Sequence, residues 1–355
     1  MKALVLSGGS GVRFRPFTYS MPKQLIPIAN KPVLEYAITN VRDLGATEIG
    51  LIVGGWEDDI RAAIGDGSRF GVDITYIRQD QPLGLAHAVR LARPFLGAAD
   101  FVMYLGDNLL PEGVVEIAAE FRTCRPAAEL VLQKVADPSA FGVVEVDAEG
   151  SVVRLVEKPS RPRSDLAIVG VYFFTAAIHD AVAAIRPSAR GELEITDAIQ
   201  WLLASGAEVV AREYEGFWKD VGRTDDVLTC NRRLLGDLNP AIDGQVDAAS
   251  ELHGQVVVER GARVVRSRIE GPAIVGAGTV VEDSRIGPGT SIGRECLLRA
   301  AELSDSVVLD GARICGVRAL HGSLIGRYAT VGPGDRSRSG HRLMVGDHSK
   351  VEIPA

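Results

Sequence analysis

The sequence predicts two domains of different architecture: an α/β domain with a Rossmann-like, mostly parallel sheet, followed by a parallel β-solenoid. Three observations predict this. The 355 residues exceed what one hydrophobic core usually supports. Up to about residue 235, short apolar runs alternate with longer amphipathic segments, which is typical of βαβ units. Beyond residue 254, aliphatic residues recur about every six positions, a period that neither a helix nor an alternating strand keeps on one face.

The alternation in the first domain predicts its elements in order. The predicted helices are 33–45, 57–67 and 195–206. The predicted strands are 2–6, 48–54, 73–79, 100–107, 128–135, a pair within 142–159, and the apolar stretch 167–178.

The second domain is predicted from its repeat. A three-sided solenoid places one inward aliphatic residue on each flat side and small residues at each corner. The pattern resembles the hexapeptide-repeat, left-handed β-helix, and with about 18 residues per coil it gives about four coils. The predicted segments are a first domain at 1–238, a linker at 239–253, a β-helix at 254–335 and a tail at 336–355.

Composition excludes several classes of partner. A net charge of −7 argues against a nucleic-acid partner, which needs a basic surface. The longest apolar stretch, 167–178, is too short to cross a bilayer, so we expect no membrane partner. Four cysteines without a C-x-x-C pair indicate free thiols in a reducing compartment, and we expect a cytoplasmic protein.

A glycine-rich segment, "GGSGVRFRPFTYSMPKQ" (8–24), follows the first strand. It is not a dinucleotide fingerprint, because Phe14 stands where the third glycine belongs, and it lacks the G-K-[ST] of a P-loop. Glycine amides can approach phosphate oxygens closely, and Arg13 and Lys23 add positive charge where a pyrophosphate would leave. The alternative is a glycine turn beside two solvated cations.

The spacing L-x-G-G-x-G-x-R-x-x-P-x-T-x-x-x-P-K-Q resembles the signature of sugar-1-phosphate nucleotidylyltransferases. Later segments resemble the glucose-1-phosphate thymidylyltransferases, in the long form that carries a C-terminal β-helix. These segments are "QDQPLGLAHAV" (79–89), "YLGDN" (104–108), "EKP" (157–159), "RGELEITD" (190–197) and "WKDVG" (218–222).

The resemblance implies transfer of a nucleotidyl group from dTTP to α-D-glucose 1-phosphate, with UTP as the alternative donor. The sugar phosphate is itself an anionic nucleophile, so the reaction needs alignment and charge neutralisation. The implied cofactor is Mg²⁺, with Asp107 and Asp220 as its ligands. Asp107 also ends an apolar strand, where ligands bind in open α/β sheets.

The resemblance also assigns the nucleotide contacts. It implies that Arg13 and Lys23 are catalytic residues on the triphosphate, and that Gln79 and Gly84 read the base. A glutamine amide offers an acceptor beside a donor, which suits N3–H and O4 of thymine or uracil, and the flipped amide suits cytosine. The glycines implied at the nucleotide are Gly8, Gly9 and Gly11.

For the sugar phosphate, the resemblance implies that Lys158 and Arg190 bind the phosphate group. The residues implied around the sugar are Asn108, Gly142, Glu157, Val169 and Tyr172. Two positions depart from the family pattern, since Val12 and Val221 stand where threonine is common.

Two rival functions remain open at this stage. A catalytically silent regulatory subunit would be expected to lose the metal aspartates or the loop cations, and this chain keeps both. A sugar acyltransferase would need a histidine in the solenoid, and His321 is the one candidate in the repeat. For the β-helix we expect a role in oligomerisation or regulation, with a homo-oligomer formed through the β-helix or the first domain.

Overall fold

The computed structural model describes residues 1–9, 11–333 and 347–352. Contacts divide the chain into two compact units. The α/β unit comprises residues 1–10 and 33–220, and the β-helix unit comprises residues 11–32 and 221–355. The β-helix unit thus includes the segment with Arg13 and Lys23, which sequence analysis assigns to the first domain. Of the predicted tail, 336–355, the structure describes only 347–352.

The regular elements follow the predicted order. The helices are α1 (Val33–Asp43), α2 (Glu57–Ile64), α3 (Leu85–Leu91), α4 (Arg93–Leu96), α5 (Val115–Cys124), α6 (Ile178–Ala184), α7 (Ile195–Ala204) and α8 (Thr224–Leu235). The first strands are β1 (Lys2–Leu6), β2 (Pro27–Ile28), β3 (Lys31–Pro32), β4 (Glu48–Val53), β5 (Asp73–Arg78), β6 (Phe101–Leu105), β7 (Asn108–Leu109), β8 (Ala128–Lys134), β9 (Gly142–Val146), β10 (Val152–Glu157), β11 (Leu166–Phe174), β12 (Val209–Glu213) and β13 (Lys219–Asp220).

The α/β unit contains a nine-stranded sheet, which confirms the predicted class. Its main path is β10-β9-β11-β6-β1-β4-β5, with β8 beside β11 and β12 beside β8. Strands β1, β4, β5 and β6 are parallel, so their C-terminal ends share one edge. The strand predicted at 167–178 ends at Phe174, and Ile178 begins α6 instead. None of the helices in the described ranges is long and apolar enough to cross a membrane.

The core of the α/β unit lies on the central strands of this sheet. Strands β6 and β11 are apolar along nearly their whole length, because neighbouring elements cover both of their faces. The largest side chains that they bury completely are Phe101, Tyr104, Phe173 and Phe174. This packing fixes the strand ends from which the candidate site residues project.

The β-helix unit stacks short parallel strands into three sheets, the arrangement of a left-handed β-helix. Val256 pairs with Ala273 and Ala273 with Thr290, so one coil takes 17 residues. Its strands are β14 (Ala241–Ile242), β15 (Gln245–Val246), β16 (Glu251–His253), β17 (Val256–Val258), β18 (Arg263–Val265), β19 (Arg268–Glu270), β20 (Ala273–Val275), β21 (Val280–Glu282), β22 (Arg285–Ile286), β23 (Thr290–Ile292), β24 (Leu297–Arg299), β25 (Glu302–Ser304), β26 (Val307–Val308), β27 (Arg313–Cys315), β28 (Leu320–His321), β29 (Leu324–Ile325) and β30 (Thr330–Val331).

The solenoid starts earlier than the sequence predicts. Strands β14, β15 and β16 lie within the predicted linker, 239–253, and pair with β17, β18 and β19. The linker prediction is therefore wrong. Its inward positions, Val246 and Leu252, are partly buried and continue the six-residue spacing of Val258, so the recurrence already extends into this segment.

A hairpin and a helix complete the β-helix unit. Strands β2 and β3 pair around a two-residue turn at Ala29 and Asn30, both with positive φ, of 47° and 59°. The side chain of Asn231, in α8, accepts a hydrogen bond from the Ala29 N–H at 2.9 Å. It also accepts one from the Ser291 hydroxyl and donates one to the Gly289 carbonyl at 2.9 Å. Asn231 therefore ties the hairpin to the solenoid.

Candidate active site

The first part of the candidate site lies at the C-terminal ends of the parallel strands. Gly8 follows β1, and Gln79 follows β5 with its N–H bonded to the Val53 carbonyl at the end of β4 at 2.8 Å. A Cβ placed on Gly8 would lie 3.5 Å from Oε1 of Gln79. The structure therefore brings together a predicted phosphate-loop glycine and the predicted base-reading glutamine. Gly9 has a φ of 115°, which only glycine adopts without strain.

The amide of Gln79 is held in one orientation by its neighbours. Its nitrogen, Nε2, donates to the Gly84 carbonyl at 3.3 Å and lies 3.0 Å from Nδ1 of His87. A carbonyl oxygen can only accept, so the nitrogen must face Gly84. Both N–H groups of the Gln79 amide are then used inside the protein. The sequence predicts a donor and an acceptor for the base, but only the acceptor, Oε1, is left. His87 itself was not anticipated.

Gly84 is a glycine for a steric reason. Its φ is 102°, and a Cβ there would collide with the backbone carbonyl of Leu193. Leu193 in turn donates its N–H to the Leu83 carbonyl at 2.8 Å and accepts from the Ala86 N–H at 3.1 Å. This close approach fixes the Gly84 carbonyl that orients Gln79.

The two predicted metal ligands meet on a short antiparallel ribbon in the α/β unit. Strand β13 pairs with β7, and Asp220 stands opposite Asn108 in the register. Asp107 precedes Asn108 and accepts a hydrogen bond from its Nδ2 at 3.0 Å. Residues more than a hundred positions apart are thus neighbours, as the resemblance implies.

Asn108 is buried and held from two sides. Its Oδ1 accepts a hydrogen bond from the Trp218 indole N–H at 2.7 Å. A Cβ on Gly170, whose φ is 79°, would come within 3.1 Å of the Asn108 amide. The tryptophan and the glycine were not singled out from the sequence, although Trp218 lies in the segment 218–222 quoted for the resemblance.

The donor set of this ribbon fits Mg²⁺. The ion prefers oxygen ligands and usually takes only one or two protein carboxylates, which Asp107 and Asp220 supply. In residues 1–9, 11–333 and 347–352, no group of three or more His, Cys, Asp and Glu side chains is arranged to hold a metal. A carboxylate pair completed by phosphate oxygens and water is therefore the fitting arrangement.

Lys158 and Arg190, the predicted phosphate ligands, meet at one carboxylate. Oε1 of Glu157 lies 3.4 Å from the Lys158 ammonium and 3.5 Å from the Arg190 guanidinium. Lys158 has a φ of 42°, a strained conformation for a residue with a side chain. The side chains of Lys158 and Arg190 are 44% and 40% exposed, so both cations can meet an incoming anion.

Two further carboxylates hold Arg190. Its guanidinium lies 3.1 Å from Glu192 and 3.6 Å from Glu194. Glu194 is buried, and burial raises the pKa of its carboxyl although the Ser188 hydroxyl donates to it at 2.8 Å. Arg190 is therefore ordered before any ligand arrives.

The predicted sugar-pocket residues surround Glu157. Gly142 stands opposite Glu157 in the pairing of β9 with β10, and a Cβ there would lie 2.9 Å from the Thr196 methyl group. The Thr196 hydroxyl donates to Glu157 at 3.3 Å. Tyr172 is buried, and burial together with the nearby Glu157 raises the pKa of its phenol.

Val169 contributes through its backbone, because its side chain is fully buried. Strand β11 pairs with β8 at Ile168 and again at Tyr172, opposite Leu132 and Leu130. Three residues therefore face one, and this bulge takes residues 169–171 out of the β8 ladder. Such an interruption leaves backbone groups available for a ligand.

The remaining predicted residues, Gly11, Arg13 and Lys23, belong to the β-helix unit. A Cβ on Gly11 would lie 2.8 Å from the Thr18 methyl group, and the Thr18 hydroxyl donates to the Gly11 carbonyl at 2.7 Å. Gly222 lies beside Arg13: a Cβ on Gly222 would be 3.2 Å from the Arg13 guanidinium. Lys23 begins a 3₁₀ turn, Lys23–Leu25.

Comparisons with known proteins agree with this geometry. The family model described as nucleotidyl transferase matches residues 2–236. A glucose-1-phosphate thymidylyltransferase of Streptomyces antibioticus is 54% identical over 354 residues, which cover 99% of each chain. One of Streptomyces griseus is 51% identical over 353 residues, again covering 99% of each chain.

A solved structure gives the same result for the fold. The chain is similar to a crystal structure named as a glucose-1-phosphate thymidylyltransferase of Bacillus anthracis in complex with sucrose. The TM-score is 0.63 at 33% identity, and the match covers 68% of this chain and 97% of the other. The family match spans most of the chain and the relatives span all but a few residues, so this chain belongs to the nucleotidyl transferase family.

Proposed function

We propose that the protein transfers a thymidylyl group from dTTP to α-D-glucose 1-phosphate. A phosphate oxygen of the sugar phosphate attacks the α-phosphorus of dTTP and forms a new P–O bond. The bond from that phosphorus to the bridging oxygen breaks, and pyrophosphate leaves with the electron pair. Full-length relatives that carry the name of this activity support the assignment.

The metal ligands in this proposal are Asp107 and Asp220. Bound Mg²⁺ would neutralise triphosphate charge, which lowers the barrier to attack by an anionic nucleophile. The ribbon that pairs Asp220 with Asn108 supports the proposal, because it brings the two sequence motifs that contain Asp107 and Asp220 side by side.

Lys158 and Arg190 bind the phosphate of the sugar substrate in this proposal. Their fixed positions beside Glu157 align the nucleophile, and alignment is a large part of what phosphoryl transfer requires. The Glu157 carboxylate accepts hydrogen bonds from sugar hydroxyls, and the backbone groups of Gly142 and Val169 also bond these hydroxyls. Asn108 and Tyr172 shape the pocket.

The nucleotide contacts are proposed for both units. In the α/β unit, Gly8 and Gly9 offer backbone amides to phosphate oxygens, and Gln79 and Gly84 read the base. For Gly11, Arg13 and Lys23, the proposal rests on the sequence motif: the glycine amide and the two cations stabilise the triphosphate and the leaving pyrophosphate.

A nucleotide panel tests the activity. We expect pyrophosphate release with dTTP and glucose 1-phosphate in the presence of Mg²⁺, at a higher kcat/KM than with UTP, CTP, ATP or GTP. A preference for UTP would assign the chain to the uridylyl-transferring alternative. Absence of release with every nucleotide and several hexose 1-phosphates would refute the proposed function.

Substitutions at the carboxylate pair test the metal site. Asp107→Asn and Asp220→Asn each remove one anionic ligand and keep the shape of the side chain, so we expect kcat to fall by at least about a hundredfold. Asp180→Asn, at an exposed position on α6, is the matched control and should keep wild-type turnover. Wild-type turnover in either site variant would remove that residue from the metal site.

The cellular location and the oligomeric state are also proposals. We infer a cytoplasmic homo-oligomer, because the four cysteines form no disulfide among the residues that the structure describes and the solenoid offers sheets for association. We assign no acyl transfer to the β-helix. His321 is 72% exposed on β28, where its Nδ1 lies 3.0 Å from the Ser304 hydroxyl.

A further inference from the structure

The sequence leaves open the orientation of the Gln79 side-chain amide, which is proposed to read the base. A glutamine side chain can present its oxygen or its nitrogen to a pyrimidine, and the two orientations select different bases. In the structure both hydrogen bonds of the Gln79 amide use Nε2, toward Gly84 and His87. The oxygen, Oε1, is the atom that lies beside Gly8.

His87 is the residue that completes this arrangement. It is buried on α3, and burial together with nearby Arg90 lowers the pKa of its imidazole. A neutral imidazole with its proton on Nε2 presents Nδ1 as an acceptor, which is what an amide N–H at 3.0 Å requires.

We propose that His87 is a positioning residue that holds the Gln79 amide with its oxygen toward the base, so that the site selects pyrimidines carrying N3–H. Thymine and uracil offer that donor. Cytosine in the same placement turns the lone pair of its N3 toward Oε1 and is repelled. This inference rests on the proposed function, because it assumes that Gln79 contacts the base.

The experiment compares dTTP, dUTP and dCTP, which share deoxyribose, with glucose 1-phosphate as acceptor. His87→Leu removes the acceptor at Nδ1 and leaves one amide N–H of Gln79 unpaired, so the amide can turn. We expect the ratio of kcat/KM for dTTP to that for dCTP to fall about tenfold, mainly through KM. The ratio of dTTP to dUTP should stay unchanged, because both bases carry N3–H.

Two variants keep the test decisive. His87→Asn can offer an amide oxygen to Gln79 and should recover most of the discrimination against dCTP. Gln79→Ala removes the reading group and should lower the same ratio at least as far as His87→Leu. Circular dichroism and the dTTP-to-dCTP ratio separate these effects from a general loss of structure, which would lower all three rates together and leave that ratio unchanged.

The outcomes are distinct. No turnover by the wild-type protein with any nucleotide would refute the proposed function. An unchanged dTTP-to-dCTP ratio in Gln79→Ala would overturn the premise that Gln79 reads the base. A lowered ratio in Gln79→Ala but not in His87→Leu would overturn the role of His87 alone.

Discussion

The two units contain carboxylates whose pKa values are shifted in opposite directions. In the α/β unit, Glu129 and Glu194 are buried, and burial raises the pKa of each carboxyl, to about 7 for Glu129. In the β-helix unit, Glu282 and Asp283 lie at the surface, and hydrogen bonds from Arg266 hold the pKa of each below its usual value. Burial thus disfavours the ionised form of the first two carboxylates, whereas pairing with arginine favours the ionised form of the other two.

This difference separates the α/β unit, which contains the residues proposed for the metal and the sugar phosphate, from the repetitive coils of the solenoid. Glu194 is desolvated because it orders Arg190, one of the cations proposed for the sugar phosphate. Arg266 instead bonds Glu282 and Asp283 of the following coil, and Arg299 of the next coil bonds Glu282 at 2.8 Å. Carboxylates in the solenoid join neighbouring coils, and at least one in the α/β unit preorganises a binding group.

The largest effect on stability is expected at Asn231 in the β-helix unit. Asn231→Ala removes three buried hydrogen bonds and leaves the Ala29 N–H and the Gly289 carbonyl without that partner. Two residues at positive φ also lose a constraint that holds the hairpin. We expect the free energy of unfolding to fall by about 3 kcal/mol, measured by urea denaturation.

Thr229→Ala on the same helix is the control for this prediction. Its hydroxyl donates to the Asp225 carbonyl and accepts from Arg232 at 3.4 Å, both within α8, so the urea midpoint should barely change. If Asn231→Ala were as stable as Thr229→Ala, full hydrogen bonding would not be what stabilises buried polar groups in this unit.

A change of opposite sign is expected at Glu129 in the α/β unit. Its Oε1 is buried and makes no hydrogen bond to any residue that the structure describes, and Arg212 lies 3.8 Å away. Below pH 4.5 this carboxyl is protonated in both states and costs nothing. Between pH 4.5 and about 7 only the unfolded state loses the proton, so stability falls, and above pH 7 the full cost is present.

Glu129→Gln should therefore raise the free energy of unfolding by about 2 kcal/mol at pH 8 and by much less at pH 5. Denaturant midpoints at the two pH values measure this difference. Glu120→Gln is the matched control, because Glu120 pairs with the same arginine but is 52% exposed. Equal midpoint shifts in both variants would show that Arg212, and not burial of the carboxylate, sets the effect.

The fold was predictable where a pattern repeats and less so where one contact decides. The recurrence of aliphatic residues identified the solenoid, but the serines at 17-residue spacing were missed. There, the Ser284 N–H donates to the Ser267 hydroxyl at 3.0 Å, and the Ala301 N–H donates to Ser284 at 3.1 Å. Such bonds carry no hydrophobic signal, so they were not predicted from the sequence.

The candidate site shows the same limit. Asp107 was predicted from its family motif, at the end of an apolar strand, whereas its proximity to Asp220 depends on a pairing between distant segments of the α/β unit. The orientation of Gln79 depends on Gly84 and His87, which are five and eight residues away, yet no periodicity signals an amide flip. The family motifs predict which residues are involved, whereas the hydrogen bonds between them are seen only in the structure.

The smallest effect is expected at the surface pairs of the solenoid. The pKa values of Glu282 and Asp283 lie below 4.5 and 3.8, so their stabilising contribution is complete above those values and is lost as pH falls through the folded values. Arg266→Gln removes the shared partner. Its thermal midpoint should be slightly lower at pH 7, and it should lose less than the wild type between pH 7 and pH 3.

Salt provides the second measurement, because exposed pairs are screened within about 3 Å at 1 M ionic strength. The difference between the wild type and Arg266→Gln should shrink in 1 M NaCl, whereas the difference between the wild type and Glu129→Gln should persist. Arg318→Gln, at an exposed arginine without an ion pair to any residue that the structure describes, is the control and should follow the wild type throughout. An acid loss in Arg266→Gln as steep as that of the wild type would mean that pairing does not distinguish these carboxylates from those of the α/β unit.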